Sequence, residues 1–431
     1  MQEKIINQIQ ALNHYSFVKV VRQTLIMIFP VVLVGTIAKM LLKTVFELAG
    51  FIYNIANLYK VIPQSVLRVI QFILANVSQL TLGIIGLYTI FLVASCTAKL
   101  YRRDANMAGI TGIVTLLVLA YRYGKVPASG PVNFYARLLN GNSLLLVLII
   151  GYGIGQLYRW LTPPVATEDS YPAVQARVFA MLKPLAIASL LALVGGLVLN
   201  SYPIYNAWST TYSGLVTVAQ EHHQLWLTIL ASVAVTAMDW LGLGVPSSYT
   251  TMTSGIAFTA NLNYALAHGS AWNVPYKYLG SSLYNSFANF GGDGLVLALI
   301  VAILLTPSGS FMHRVARWTA IPTLFNFNYA TMIGLPIILN PVLVIPFIFL
   351  PIVNIILASL AIAVHLIPAT PYPVLLGTPG PLISFLGSNG NWVSLAFAIA
   401  LLLVDVLAYL PFVRLAMMVE RRLQEEGARH E

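Results

Sequence analysis

Charge is what this sequence most lacks. Of 431 residues, 23 are Lys or Arg and 13 are Asp or Glu, 8% in all, whereas a soluble domain carries about 25%. A soluble fold of this length would leave most of its surface apolar and prone to aggregate. A soluble globular enzyme, a disordered chain and a coiled coil are all excluded. Cysteine is nearly absent: Cys96 alone, inside an apolar run, permits no intrachain disulfide and no cysteine-built metal site. There is no Gly-rich phosphate loop with a lysine, which argues against direct use of ATP, and no defensible Ser/His/Asp arrangement. The histidines do not cluster. His222 and His223 adjoin Glu221, but a metal site needs more ligands at defined spacing. The sequence therefore assigns no catalytic residue, no cofactor and no metal.

What is present is apolar. Hydrophobic residues make up 58% of the chain and the mean hydropathy is +0.81. Long continuous runs such as Leu144–Ile154, Leu185–Leu199 and Leu295–Leu305 read as helices, because membrane strands alternate over segments of about 10 residues. The expectation is an all-α polytopic membrane protein. Apolar runs fall at 24–46, 69–98, 106–121, 143–162, 184–203, 225–245, 293–308, 329–351, 352–367 and 392–413. At ~20 residues per crossing they predict about ten transmembrane helices. Several carry internal Pro or Gly, the mark of re-entrant half-helices.

The basic residues give the chain a side. Lys4, Lys19 and Arg22, then Lys99, Arg102 and Arg103, then Arg159, Arg177 and Lys183, then Arg314 and Arg317, then Arg414, Arg421, Arg422 and Arg429 share one face if both termini are cytoplasmic, and 201–224 holds no Lys or Arg. The positive-inside rule predicts that placement. It also accounts for the net charge of +10 without a nucleic-acid partner. The polar amphipathic start does not read as a cleavable signal peptide, and insertion is expected through the first span.

The connection 163–183 is the most polar internal stretch and ends in an amphipathic segment. It divides an N-terminal bundle, 1–203, from a second half, 204–415, that is followed by a cytoplasmic tail, 416–431. The second half is broken by Gly, Pro and Asn at 240–248, 290–294, 325–336 and 376–390. Irregular backbone at membrane depth is tolerated where it is buried in protein or lines a wet cavity, and discontinuous helices present backbone groups to polar substrates. These four places together point to a substrate pathway. Asp239 precedes a Gly/Pro break and suits hydroxyl recognition or proton carriage. Asp293 is expected to cap a helix starting near Gly294. Asp405, in the last span, is expected to be structural. Asn326, Asn328 and Asn340 are amides in apolar sequence. An amide both donates and accepts, which suits hydroxyl-rich ligands, and a neighbouring aromatic such as Trp240 can stack on a sugar face.

The stretch Arg317–Leu343, RWTAIPTLFNFNYATMIGLPIILNPVL, resembles the signature region of enzyme IIC, the membrane-embedded sugar permease of the bacterial phosphotransferase system, in particular its lactose/cellobiose (chitobiose) branch. The resemblance continues through 345–361, GTPGP at 377–381 and LPFVRL at 410–415, and more weakly through 97–110 and 171–184. It implies about ten spans with two re-entrant hairpins in the second half. It implies a homodimer in the bacterial cytoplasmic membrane, with the first half at the interface and the second half carrying a saccharide by alternating access. The sugar would be phosphorylated by a separate IIB protein, itself served by IIA, and no residue of this chain would be phosphorylated. Asn326, Asn328 and Gly334 match the family pattern. Two positions depart from it. The family reads Asn-Glu-Pro where this chain has Asn328, Tyr329 and Ala330, and the family's Gly-x-His-Gly-like element corresponds to Asp239–Gly244, without histidine. The expected substrate site is thus Asn326, Asn328, Tyr329, Gly334, Asp239 and Trp240, altered from the family's. A saccharide or other hydroxylated solute is the expected ligand. The competing reading is a paralogue detached from phosphotransfer, acting as an uncoupled solute transporter, a sensor or an assembly partner.

Overall fold

The computed structural model describes residues 15–123, 133–165, 171–200, 224–244, 255–307 and 310–430. Among these the chain is helical, with isolated bridges at Gly50–Leu376 and Tyr121–Phe134 and no strand. We number the α-helices of six residues or more: α1 Ser16–Met40, α2 Gln64–Thr81, α3 Ile85–Leu100, α4 Ala105–Ala120, α5 Leu144–Leu161, α6 Tyr171–Asn200, α7 Leu225–Trp240, α8 Ile256–His268, α9 Gly280–Phe287, α10 Val296–Leu305, α11 Phe311–Leu324, α12 Tyr329–Gly334, α13 Val344–Ala363, α14 Gly380–Gly387 and α15 Trp392–His430. Among the described residues six segments are long and apolar enough to cross a membrane: Ser16–Phe46, Gln64–Leu100, Gly141–Leu161, Val178–Leu199, Val344–Ala363 and Trp392–Arg422. Helices α4, α7 and α10 are shorter and apolar.

In the first half α3 packs against α1, α4 and α5, and α4 also packs against α6. Small residues let these backbones approach, as in membrane bundles generally: a Cβ on Gly155 would overlap Thr97, and one on Gly112 would lie 3.1 Å from the carbonyl of Ile90. Hydroxyls in this apolar setting bond back to their own helix, as Thr97 does to Val93 O at 2.7 Å. Asp104 caps α4 by accepting from Met107 N at 2.9 Å. Ile90, Ala94, Leu116, Val147 and Tyr158 form the local core. The larger core joins α1 to α10, α12, α13 and α15, through Leu25, Ile28, Leu299, Ile333, Phe347 and Tyr409. Helix α1 therefore belongs to the first half by sequence order and packs against both halves.

Three runs fold differently from their linear reading. The run 69–98 is two helices, parted at Leu82–Ile84, and only Leu67 of α2 is buried. The runs 329–351 and 352–367 do not make separate spans. Instead α12 ends at Gly334, a turn with Leu339 at φ 58° follows, and α13 runs unbroken across both. Helix α15 runs through the expected boundary at 415.

Candidate functional site

Three of the broken segments meet at Asn326. This residue leaves α11 in the left-handed region, φ 67°, a conformation that asparagine tolerates better than most. Its Oδ1 accepts from Gly291 N at 2.8 Å and its Nδ2 donates to Thr378 O at 2.7 Å. One amide thus pins the FGGDG loop and the GTPGP loop to the end of α11.

The FGGDG loop is held from every side. Gly291, Gly292 and Gly294 all have positive φ, which explains the glycines. Asn328 Nδ2 donates to Asp293 O at 3.4 Å, and its side chain fills the space that a Cβ on Gly292 would need. Tyr284 Oη donates to Asp293 Oδ1 at 2.6 Å. Tyr409 Oη donates to Gly294 O at 2.5 Å. Asn354 Nδ2 donates both to Phe287 O at 2.9 Å and to Asp405 Oδ2 at 2.8 Å. Asp293 therefore does not cap α10: that helix starts with Leu295 at its N-cap and no side-chain cap bond, because the Asp293 carboxyl is turned to Tyr284. Asp405, as a buried acid, has an amide for a partner.

The fourth broken segment enters through Trp240. Its indole donates to Asn340 O at 3.2 Å, and its carbonyl accepts from Leu339 N at 3.0 Å. Past it, Gly242 O accepts from Leu145 N at 3.1 Å, a bond to the first half. Asn340 closes its own turn, donating to Pro336 O at 3.1 Å and accepting from Val342 N at 3.0 Å.

Asp239 and Tyr329 are the side chains left over. Asp239 is half-buried in the last turn of α7, its carboxyl takes no hydrogen bond among the described residues, and it lies in the field of Asp293. Tyr329 opens α12. Its hydroxyl is buried without a partner, lies in the field of Asp239 and presses on Gly141 of the first half, where a Cβ would overlap it. Gly334 is buried against Phe29 of α1 and Val315 of α11, where a Cβ would clash.

The six residues expected from sequence thus occupy one neighbourhood with different duties. Asn326, Trp240 and Gly334 tie or pack backbone. Asn328, Tyr329 and Asp239 keep polar atoms free of partners among the described residues. Tyr284, Asn354, Tyr409 and Thr378 were not foreseen. Thr378 lies in a segment already marked by Gly and Pro, but nothing local marks Tyr284 or Tyr409, whose partners lie nine and 115 residues away.

A family model described as phosphotransferase system, EIIC matches residues 6–351. Among curated relatives, the oligo-beta-mannoside-specific EIIC component of Bacillus subtilis (strain 168) is 23% identical over 97% of this chain and 95% of its own. The cellobiose-specific EIIC component of Lactococcus lactis subsp. lactis (strain IL1403) is 27% identical over 80% of each chain. The lactose-specific EIICB component of Staphylococcus haemolyticus (strain JCSC1435) is 23% identical over 98% of this chain and 70% of its own. Among solved structures, the transporter ChbC, the IIC component of an N,N'-diacetylchitobiose-specific phosphotransferase system, aligns over 99% of both chains with a TM-score of 0.42 and 22% identity.

Proposed function

The chain belongs to the phosphotransferase system EIIC family, as a membrane-embedded sugar permease, and from that premise we propose that it moves a saccharide by alternating access through a site built on Asn328, Tyr329 and Asp239. The observation that carries this placement is the convergence of the broken segments: the polar groups of Asn326 and Trp240 are consumed in holding backbone, while among the described residues the Asn328 amide oxygen, the Tyr329 hydroxyl and the Asp239 carboxyl are not. Asn328 offers an amide oxygen, Asp239 a carboxylate that accepts from two hydroxyls, and Tyr329 a hydroxyl on an apolar ring. Tyr329 makes the site altered from the pattern of the resembling family, with one hydroxyl where a carboxylate would accept twice.

EIIC components work with IIB and IIA proteins, and the lactose relatives carry a B part in their name, EIICB. The reading adopted for this chain is a bacterial cytoplasmic-membrane homodimer with both termini cytoplasmic, served by a separate IIB. The reading as an uncoupled transporter or sensor finds no support in the relatives, which are named as EIIC or EIICB components. The test is uptake of labelled cellobiose and lactose into vesicles, with and without a phosphorylated IIB protein. Uptake that accumulates sugar phosphate only with IIB is expected. Assembled protein that neither binds nor moves any saccharide would sink the proposal.

A further inference from the structure

A cavity of about 300 Å³ lies where α1 meets the second half. Its walls are the start of α1, the start of α11, the turn 334–342 and the late part of α15. Two charged side chains face it, Arg22 from α1 and Glu420 from α15. Glu420 is only 8% exposed, and its Oε2 has no hydrogen-bond partner.

A carboxylate oxygen withdrawn from water without a donor is costly. The basic groups around Glu420 are Arg22, Arg314 and His313. His313 is committed, with its ring nitrogens on Thr306 O at 2.6 Å and Ser310 Oγ at 3.2 Å. Arg314 is exposed. Arg22 remains, yet among the described residues no ion pair closes it onto Glu420. A donor and an acceptor of opposite charge therefore line one cavity without an ion pair between them among the described residues. The solute that satisfies both carries hydroxyls, since each hydroxyl can donate to the carboxylate and accept from the guanidinium. Phe17 and Phe311 supply the apolar faces against which the CH surface of a sugar ring packs. The volume is at the lower end of small-molecule pockets, on the scale of a small saccharide.

We infer that this cavity is a second saccharide station, in which Arg22 donates to and Glu420 accepts from the hydroxyls of one solute. The inference rests on the saccharide reading above. The turn 334–342 forms one wall of the cavity, and Trp240 is bonded to Leu339 and Asn340 on that turn, so the station adjoins the site at Asn328.

The test uses the full chain in lipid nanodiscs with Cys96→Ser, which removes its one cysteine. Val18→Cys, on the cavity wall, then reports labelling by N-ethylmaleimide. Equilibrium dialysis of labelled cellobiose and lactose on the same preparation counts bound solute. Saturating sugar should slow labelling, and dialysis should show a second equivalent per chain. Glu420→Gln and Arg22→Gln should each raise the protecting concentration about tenfold or more, the loss of one hydrogen bond to a charged group. Each should keep the equivalent bound at Asn328, which also shows that the variants fold. Asn328→Ala should remove that equivalent and leave the protection intact. Sugar bound as a single equivalent, lost in Asn328→Ala and without protection of Val18→Cys, would overturn this inference and leave the proposed function standing. No binding of either sugar anywhere would remove both.

Discussion

At the residue scale, three asparagines look alike in sequence and do different work. Asn326 spends both ends of its amide on the backbone of two loops, and Asn340 spends both on its own turn. Asn328 donates one long bond and keeps its oxygen. Asn328→Ala should therefore weaken saccharide binding more than Asn340→Ala, whose main effect is a lower melting temperature. Equal or reversed effects in a binding isotherm would displace the site. Tyr329 separates stability from function more sharply. A buried hydroxyl without a partner costs roughly 1–3 kcal/mol. Tyr329→Phe should thus hold or raise the melting temperature of the solute-free protein while reducing saccharide affinity. A variant that melts lower and binds normally would show that the hydroxyl is structural. The amides were legible in the sequence as a group. Their division of labour was not, because it depends on the position of Gly291 and Thr378, 35 and 52 residues distant.

At the element scale, the FGGDG loop is a short piece of irregular backbone immobilised by α9, which precedes it, and by α13 and α15, which lie far from it in sequence. Residues on α9, α13 and α15 all bond to it or to its approach. The pair Asn354–Asp405 joins α13 to α15 and serves the carbonyl of Phe287 on the way. This assigns Asp405 to the scaffold. Asp405→Asn retains an oxygen that can accept from Asn354, so it should cost less than about 1 kcal/mol and leave uptake intact. Asp405→Leu leaves one N–H of the buried Asn354 amide without its acceptor and should cost about 1–3 kcal/mol, read as a fall in melting temperature. Loss of uptake in Asp405→Asn with unchanged stability would instead place this carboxyl on the transport path. Composition and Gly/Pro punctuation marked the loop as broken, whereas the three helices that clamp it could not be read from periodicity, which reports a buried face and not the partner beneath it.

At the scale of the whole molecule, the two halves meet at polar points as well as through the packing of α1. Leu145 N donates to Gly242 O, Phe51 N donates to Leu376 O and Leu376 N to Ala49 O, Gly244 lies against Asn142, and Tyr329 presses on Gly141. Movement of the second half as a body must part these contacts. Joining Leu145→Cys to Leu243→Cys with a short reducible cross-linker, in the Cys96→Ser background, should stop saccharide uptake, and reductant should restore it. Undiminished uptake in the cross-linked protein would mean that the halves do not separate at this junction. The sequence by itself determined the solvent, since so few charges leave lipid as the environment for most of the chain. It also determined the helical class and the four places where helices break, because these are set by local composition and by the conformational limits of Gly and Pro. Tertiary structure alone decided which runs join into one helix, that α1 packs with both halves, and which polar atoms stay free. Those outcomes depend on what each side chain meets across the fold, and a buried hydroxyl such as that of Tyr329 becomes a candidate ligand group only once every nearby partner has been accounted for.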